Sequence, residues 1–162
     1  MSTLYLFDAD GTLRHCHDPK QPCPNKPGDA YIPKNVRDWF ARQKWGGDIC
    51  GIVSNQGGVS LGLLPEQVAG QMLYDMVVEL TGYHPIPGAI QMCTSMDKSD
   101  PMRKPNPGML LAVMEAYQTM PGEDWTDTVM IGDMDSDRLA AEAVGVRFVH
   151  ADEFFGESES CD

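Results

Sequence analysis

The sequence predicts an α/β fold, a doubly wound parallel sheet of about five strands, from two observations. Thr3–Phe7, Asp48–Val53, Ala89–Thr94, Thr128–Ile131 and Val146–Val149 are short segments rich in β-branched and aromatic residues, apolar enough to be strands buried on both faces. Between them, Lys34–Lys44, Pro65–Thr81, Pro107–Met120 and Ser136–Val144 carry apolar residues at helical spacing. Strands that alternate with helices imply a parallel sheet with helices on both faces.

The boundaries follow from local chemistry. Gly46-Gly47 is read as closing the first helix, Pro65 and Pro107 sit where helices begin, and Gly82 and Gly145 follow helix ends. In the second helix Val68, Met72, Met76 and Leu80 recur at steps of four, and Trp39 and Phe40 suit a buried face of the first. Arg14–Ala30 holds Pro19, Pro22, Pro24 and Pro27 and reads as a long loop, whereas Phe155–Asp162 reads as an acidic frayed tail. Residues 1–154 are thus expected to form one domain and 155–162 a flexible tail.

At 162 residues, with 42% apolar and 22% charged residues, the chain has the size and composition of one globular domain, which excludes disorder and collagen-like repeats. No apolar run approaches the ~20 residues of a membrane span, and Asp8 interrupts the N-terminal apolar stretch before it could serve as a signal core. The expectation is a cytoplasmic protein with no membrane partner. Five scattered cysteines, an odd number, are expected as reduced thiols. A formal charge of −12 repels polyanions from the average surface. Nothing in the sequence fixes an oligomeric state.

In a doubly wound sheet, ligands bind beyond the carboxyl ends of the strands. There the sequence places Asp8-Ala9-Asp10-Gly11-Thr12, Ser54-Asn55-Gln56-Gly57-Gly58 and Gly132-Asp133-Met134-Asp135-Ser136-Asp137, while Arg103-Lys104-Pro105-Asn106-Pro107-Gly108 precedes a helix. Asp8 and Asp10, two apart on extended chain, face one side. Asp133 and Asp137, four apart at a helix start, lie near one another, with Asp135 or Ser136 the candidate N-cap. Carboxylates converging on one sheet edge repel unless a cation neutralises them, and oxygen-only ligands suit a hard ion such as Mg²⁺. Lys104, Ser54 and exposed amides can hold a phosphate. With no candidate Ser/His/Asp triad, this set points to phosphoryl chemistry.

Asp8-x-Asp10-Gly11-Thr12, Ser54-Asn55, Lys104 and Gly132-Asp133-x-x-x-Asp137 resemble, in order, the four motifs of the haloacid dehalogenase (HAD) superfamily of phosphohydrolases, over nearly the whole chain. The resemblance implies a Rossmann-like, HAD-like fold. Ser54-Asn55-Gln56-Gly57-Gly58-Val59, Arg103-Lys104-Pro105-Asn106-Pro107-Gly108-Met109 and the absence of a cap insertion look like the branch holding histidinol phosphatases, heptose bisphosphate phosphatases and polynucleotide 3′-phosphatases. The resemblance implies that Asp8 attacks phosphorus to form an aspartyl-phosphate and that Asp10 protonates the leaving oxygen and then deprotonates water. It also implies Mg²⁺ on Asp8, the Asp10 backbone carbonyl and Asp133, with Ser54, Asn55, Arg103 and Lys104 toward the phosphoryl group or substrate and Asp137 orienting Lys104 or a metal-bound water.

One departure matters. Histidinol and heptose phosphatases of this branch usually carry a zinc loop ending in Cys-x-Cys before Arg-Lys-Pro; here Asp100-Pro101-Met102 stands there, and Cys93 is the one cysteine nearby. His15, Cys16, His17 and Cys23 are soft ligands in the first loop, but their spacing fits no strong zinc pattern. The reading taken is a proline-stiffened loop, with His15 or His17 beside the substrate as the alternative. The expected partner is a small phosphate ester such as a sugar or amino-alcohol phosphate. A nucleic-acid end is the less favoured substrate, because −12 opposes it. A non-catalytic phosphate-binding module is the third reading, opposed by the intact Asp8, Asp10, Lys104 and Asp133.

Overall fold

The computed structural model describes residues 2–45, 49–120 and 124–156. Thr3–Phe7 forms β1; His15–Cys16 (β2) then pairs antiparallel with Ala30–Tyr31 (β3), so the expected long loop is tied at its base by a two-residue ladder. There follow Lys34–Ala41 (α1), Ile49–Asn55 (β4), Glu66–Thr81 (α2), Ile90–Cys93 (β5), Gly108–Gln118 (α3), Asp127–Gly132 (β6), Asp135–Ala143 (α4), Arg147–His150 (β7) and Ala151–Phe155 (α5).

The main sheet has five strands in the order β5-β4-β1-β6-β7, every pair parallel. Period-two alternation divides each strand between two core layers. Phe7, Cys50, Ile52, Val129 and Ile131 face the layer of Val36, Phe40, Leu73, Met76 and Val77 from α1 and α2. Leu4, Leu6, Ile49, Val53 and Met130 face Met109, Leu110, Val113, Ala140 and Ala141 from α3 and α4. The first helical layer therefore covers one side of the sheet and the second the other. This is the Rossmann-like doubly wound arrangement, and no large cap domain interrupts it among the described residues.

Three expectations change in detail. α1 ends at Ala41 with Arg42 as its C-cap, ahead of Gly46-Gly47, which lie outside the described residues as does Asp48. The buried stripe of α2 is Ala69, Leu73, Met76, Val77 and Leu80, which leaves Val68 and Met72 on its half-buried flank. Phe155, assigned to the tail, is instead the last residue of α5, an element the sequence reading lacks, and its ring packs against Phe7 and Trp39. Residues 157–162, the rest of the expected tail, lie outside the described residues. No helix among the described residues is long and apolar enough to cross a membrane.

Candidate active site

β1 delivers Asp8 at its carboxyl end, where the Asp8 amide still donates to the Ile131 carbonyl at 2.9 Å and so fixes the residue in register with β6. The chain then reverses, the Ala9 carbonyl accepting from the amides of Thr12, Leu13 and Arg14. Gly11 sits in this turn at φ +85°, and a Cβ there would fall 2.1 Å from Asp133 Oδ2. Only glycine fits both the backbone and the space. A Cβ on Gly132, which ends β6, would likewise meet Asp137 Oδ2 at 2.4 Å.

Lys104 organises the centre. Its side chain is 2% exposed, and Nζ donates to Asp8 Oδ1 at 2.8 Å and to Asp137 Oδ1 at 2.5 Å. Asp137 also accepts the Met134 amide at 3.1 Å, which makes it the residue that caps α4; Met134, not Asp135 or Ser136, occupies the N-cap position. The Thr12 hydroxyl lies 3.2 Å from Asp8 Oδ2 and 3.5 Å from Asp133 Oδ1. Asp8, Asp133 and Asp137 each bring a carboxylate oxygen within 4.8 Å of the others, the one such metal-capable group among the described residues.

Other expected site residues stand elsewhere. The Asn55 side chain, read as a phosphate contact, is spent on the Lys104 backbone: Nδ2 donates to its carbonyl at 3.1 Å and Oδ1 accepts its amide at 3.0 Å. Asn55 thus clamps Lys104 in place. Arg103 donates to the Ser95 carbonyl at 2.9 Å and ties the segment between β5 and α3 to itself. Ser54 is buried beside Gln56, whose Nε2 donates to its hydroxyl at 2.7 Å. The Asp10 carboxylate accepts from Arg14 and Gln56. In the first loop the His15 and His17 rings lie beside Tyr31, while burial, reinforced by the Asp10 charge, pushes the Cys16 and Cys23 thiols up.

Thr12, Arg14 and Gln56 are polar residues of the site to which the sequence reading assigned no role, although Thr12 stands in the first motif and Gln56 beside Ser54-Asn55. Two carried a signal: Arg14 follows Asp10 by four residues, and Gln56 follows Ser54 by two.

Burial pushes the Asp8 carboxyl up to about 7; the Lys104 charge opposes this and the neighbouring Asp133 adds to it. Burial likewise raises Asp133 and Asp137, with charge repulsion from Asp137 and from Asp8 respectively. Burial alone would lower Lys104, but Asp8 and Asp137 together outweigh it and hold the ammonium charged. A largely buried, oxygen-only set of carboxyls that burial and mutual repulsion push upward is what a divalent cation would relieve, so the residues fit such an ion.

A pH dependence follows. Because Asp8 in the folded metal-free protein titrates about 7 rather than near 3.8, the folded state binds the extra proton, and this group's contribution to stability is lost as pH rises across that window. Metal-free protein should therefore melt lower at about pH 8 than at about pH 5, and Asp8→Asn should shrink the difference. An unchanged difference in Asp8→Asn would assign the pH effect to other groups.

Comparison with known proteins gives the same picture. Residues 101–152 match the model of the HAD-hydrolase-like family. The D-glycero-β-D-manno-heptose-1,7-bisphosphate 7-phosphatase of Pseudomonas putida is 30% identical over 157 residues, spanning 89% of this chain and 79% of that protein. Among solved structures, the D,D-heptose 1,7-bisphosphate phosphatase of B. bronchiseptica, complexed with magnesium and phosphate, superposes with a TM-score of 0.71 at 21% identity, over 90% of this chain and 78% of that one. A Mesorhizobium loti protein described as a HAD-like phosphatase gives 0.64 at 24% identity, over 90% and 69%. With the fold, the acidic centre and a relative matched along most of both chains in agreement, the chain belongs to the HAD family and is a phosphatase.

Proposed function

We propose that the chain is a Mg²⁺-dependent phosphomonoesterase that hydrolyses a small phosphorylated metabolite, a sugar or amino-alcohol phosphate, through an aspartyl-phosphate, in the cytoplasm. The observation that carries this is Asp8 itself, a buried carboxylate at a sheet edge with Lys104 at 2.8 Å on one oxygen and the Thr12 hydroxyl and Asp133 on the other side. Such a carboxylate is oriented and desolvated as a nucleophile requires. The free thiols of Cys16, Cys23, Cys50 and Cys93 suit a reducing compartment.

In the first half-reaction an Asp8 oxygen bonds to phosphorus while the bond to the leaving oxygen breaks and Asp10 gives that oxygen a proton. In the second, water attacks phosphorus, Asp10 takes its proton, and Asp8 and inorganic phosphate are released. Lys104 stabilises charge on the phosphoryl oxygens and Asp137 keeps its ammonium in place; Ser54, whose oxygen already accepts from Gln56, donates its hydroxyl. Asp8, Asp133 and the Asp10 backbone carbonyl would hold Mg²⁺, which when bound would neutralise charge on the phosphoryl group.

The substrate reading draws on the rim. Leu61, Leu63, Met96 and Met134 are exposed on the segments that follow β4, β5 and β6, at the same sheet edge as Asp8. That rim is partly apolar, and the chain carries −12, both poor for a polyanion.

The test is phosphate release from sugar, amino-alcohol, nucleotide and 3′-phosphorylated oligonucleotide substrates, with and without Mg²⁺. Small esters should be preferred with weak salt dependence, and EDTA should stop release without unfolding the protein. Asp133→Asn should raise the Mg²⁺ requirement roughly 10–100-fold. Preference for the oligonucleotide, falling with salt at a log–log slope of about −0.7 per phosphate contacted, would replace the metabolite by a nucleic-acid end.

A further inference from the structure

We infer that Arg14, assisted by Gln56, is the positioning residue for Asp10, keeping its carboxyl in a separate cationic cradle from the one that holds Asp8. The inference rests on the proposed role of Asp10 as proton donor to the leaving oxygen.

Three N–H groups converge on the Asp10 carboxylate. Arg14 Nε donates to Oδ1 at 2.7 Å, Arg14 Nη2 to Oδ2 at 3.3 Å, and Gln56 Nε2 to Oδ2 at 2.8 Å. The Arg14 side chain is 5% exposed, that of Asp10 14%, and Gln56 is fully buried. The backbone reinforces the pairing, for the Gly11 amide donates to the Arg14 carbonyl at 2.9 Å and the Arg14 amide to Ala9 at 3.2 Å. Both partners are thus fixed by the turn that carries Asp8.

Stability alone is a poor reason for this arrangement, since a buried ion pair is often no better than apolar residues of similar size. Geometry is a better one. Asp10 stands two residues from Asp8, in the turn that follows β1, and a carboxylate held by one point charge there would keep rotational freedom. The buried ammonium of Lys104 is already shared by Asp8 and Asp137. Arg14 gives Asp10 a cation of its own. The planar fork of the guanidinium also fixes the plane of the carboxyl, which a single point charge does not. Gln56 also links this cradle to Ser54, so Asp10 and Ser54 are held by one buried amide.

The consequence is specific to proton delivery. Esters of acidic phenols leave without a proton, whereas alkyl esters need one, so misplacing Asp10 should penalise alkyl esters selectively. Steady-state and burst kinetics of the Mg²⁺-loaded enzyme would be compared for p-nitrophenyl phosphate and an alkyl phosphate, in wild type, Arg14→Met, Arg14→Lys, Gln56→Met and Asp10→Asn. In Arg14→Met the aryl-to-alkyl ratio of kcat/KM should rise by about 30-fold or more, in the direction of Asp10→Asn. A burst of nitrophenol should appear, because hydrolysis of the aspartyl-phosphate also needs Asp10. Arg14→Lys should restore part of the ratio.

Equal loss on both substrates, or no change in the ratio while Asp10→Asn shows one, would overturn the positioning role. Absence of the effect in Asp10→Asn itself would instead remove the reading of Asp10 as acid. Should Arg14→Met fail to fold, Gln56→Met and Arg14→Lys give the same ratio test, and an unchanged ratio in both would overturn the inference.

Discussion

Replacing Asp8 by asparagine should abolish turnover while leaving the fold intact. The amide nitrogen is not a nucleophile toward phosphorus, and the amide oxygen cannot form a stable phosphoryl ester, so the covalent route is closed rather than slowed. Phosphate monoesters are among the slowest substrates to hydrolyse unaided, with accelerations reaching ~10²¹, so loss of the nucleophile should cost many orders of magnitude. Stability should move the other way or stay level. Asp8 is a buried carboxyl pushed up to about 7, and the neutral isostere removes one charge from the cluster with Asp133 and Asp137 while Lys104 keeps Asp137 as its partner. Phosphate release and thermal melting of the same preparation check both halves; activity within tenfold of wild type would sink the covalent mechanism.

The second large effect is expected at Lys104, where Lys104→Ala should damage catalysis and folding together. The ammonium is the buried cation shared by Asp8 and Asp137, and its removal leaves both carboxylates buried without it. Breaking a buried pair by deleting one partner typically costs about 3–5 kcal/mol, and losing one preorganised donor to the transition state costs roughly 10²–10³ in rate. The stability deficit should narrow on acidification, since protonating Asp8 and Asp137 removes the unpaired charges; denaturant unfolding at about pH 5 and about pH 8 measures this. A deficit that is the same at both would mean that lost packing of the lysine stem, not charge, is responsible.

The contrast between these two positions explains what was legible in the sequence. Asp8, Lys104, Asp133 and Asp137 could be found because strand ends are readable: Leu4, Leu6, Ile52, Val53, Met130 and Ile131 make their strands continuously apolar, and chemistry begins where that stops. What surrounds them is decided by partners distant in the chain. Asn55 serves the backbone of Lys104, 49 residues on, and Gln56 reaches Asp10, 46 residues back. Neither spacing leaves a local signature. α5 escaped for a similar reason, as Ala151-Asp152-Glu153 shows no helical apolar spacing, and the segment is held by rings of Phe154 and Phe155 against Tyr5, Phe7 and Trp39 from far earlier in the sequence. Gly46-Gly47 misled because a glycine pair is a helix stop only if the helix still runs that far, and α1 ends at Ala41.

The strand order carries a consequence for biosynthesis. β1 is the middle strand of the sheet yet the first to leave the ribosome, and its two neighbours, β4 and β6, follow only from Ile49 and Asp127 onward. Until then an apolar strand waits with open edges, and sheets built from such distant pairings form slowly and are exposed to misassembly meanwhile. The ammonium of Lys104 is synthesised 33 residues before Asp137, the carboxylate that steadies it. A nascent chain halted before α4 would therefore hold the nucleophile, its proton donor, Asp133 and the lysine without Asp137, the carboxylate that steadies that lysine, so enzymatic competence waits for Asp135–Ala143 to dock beside β6.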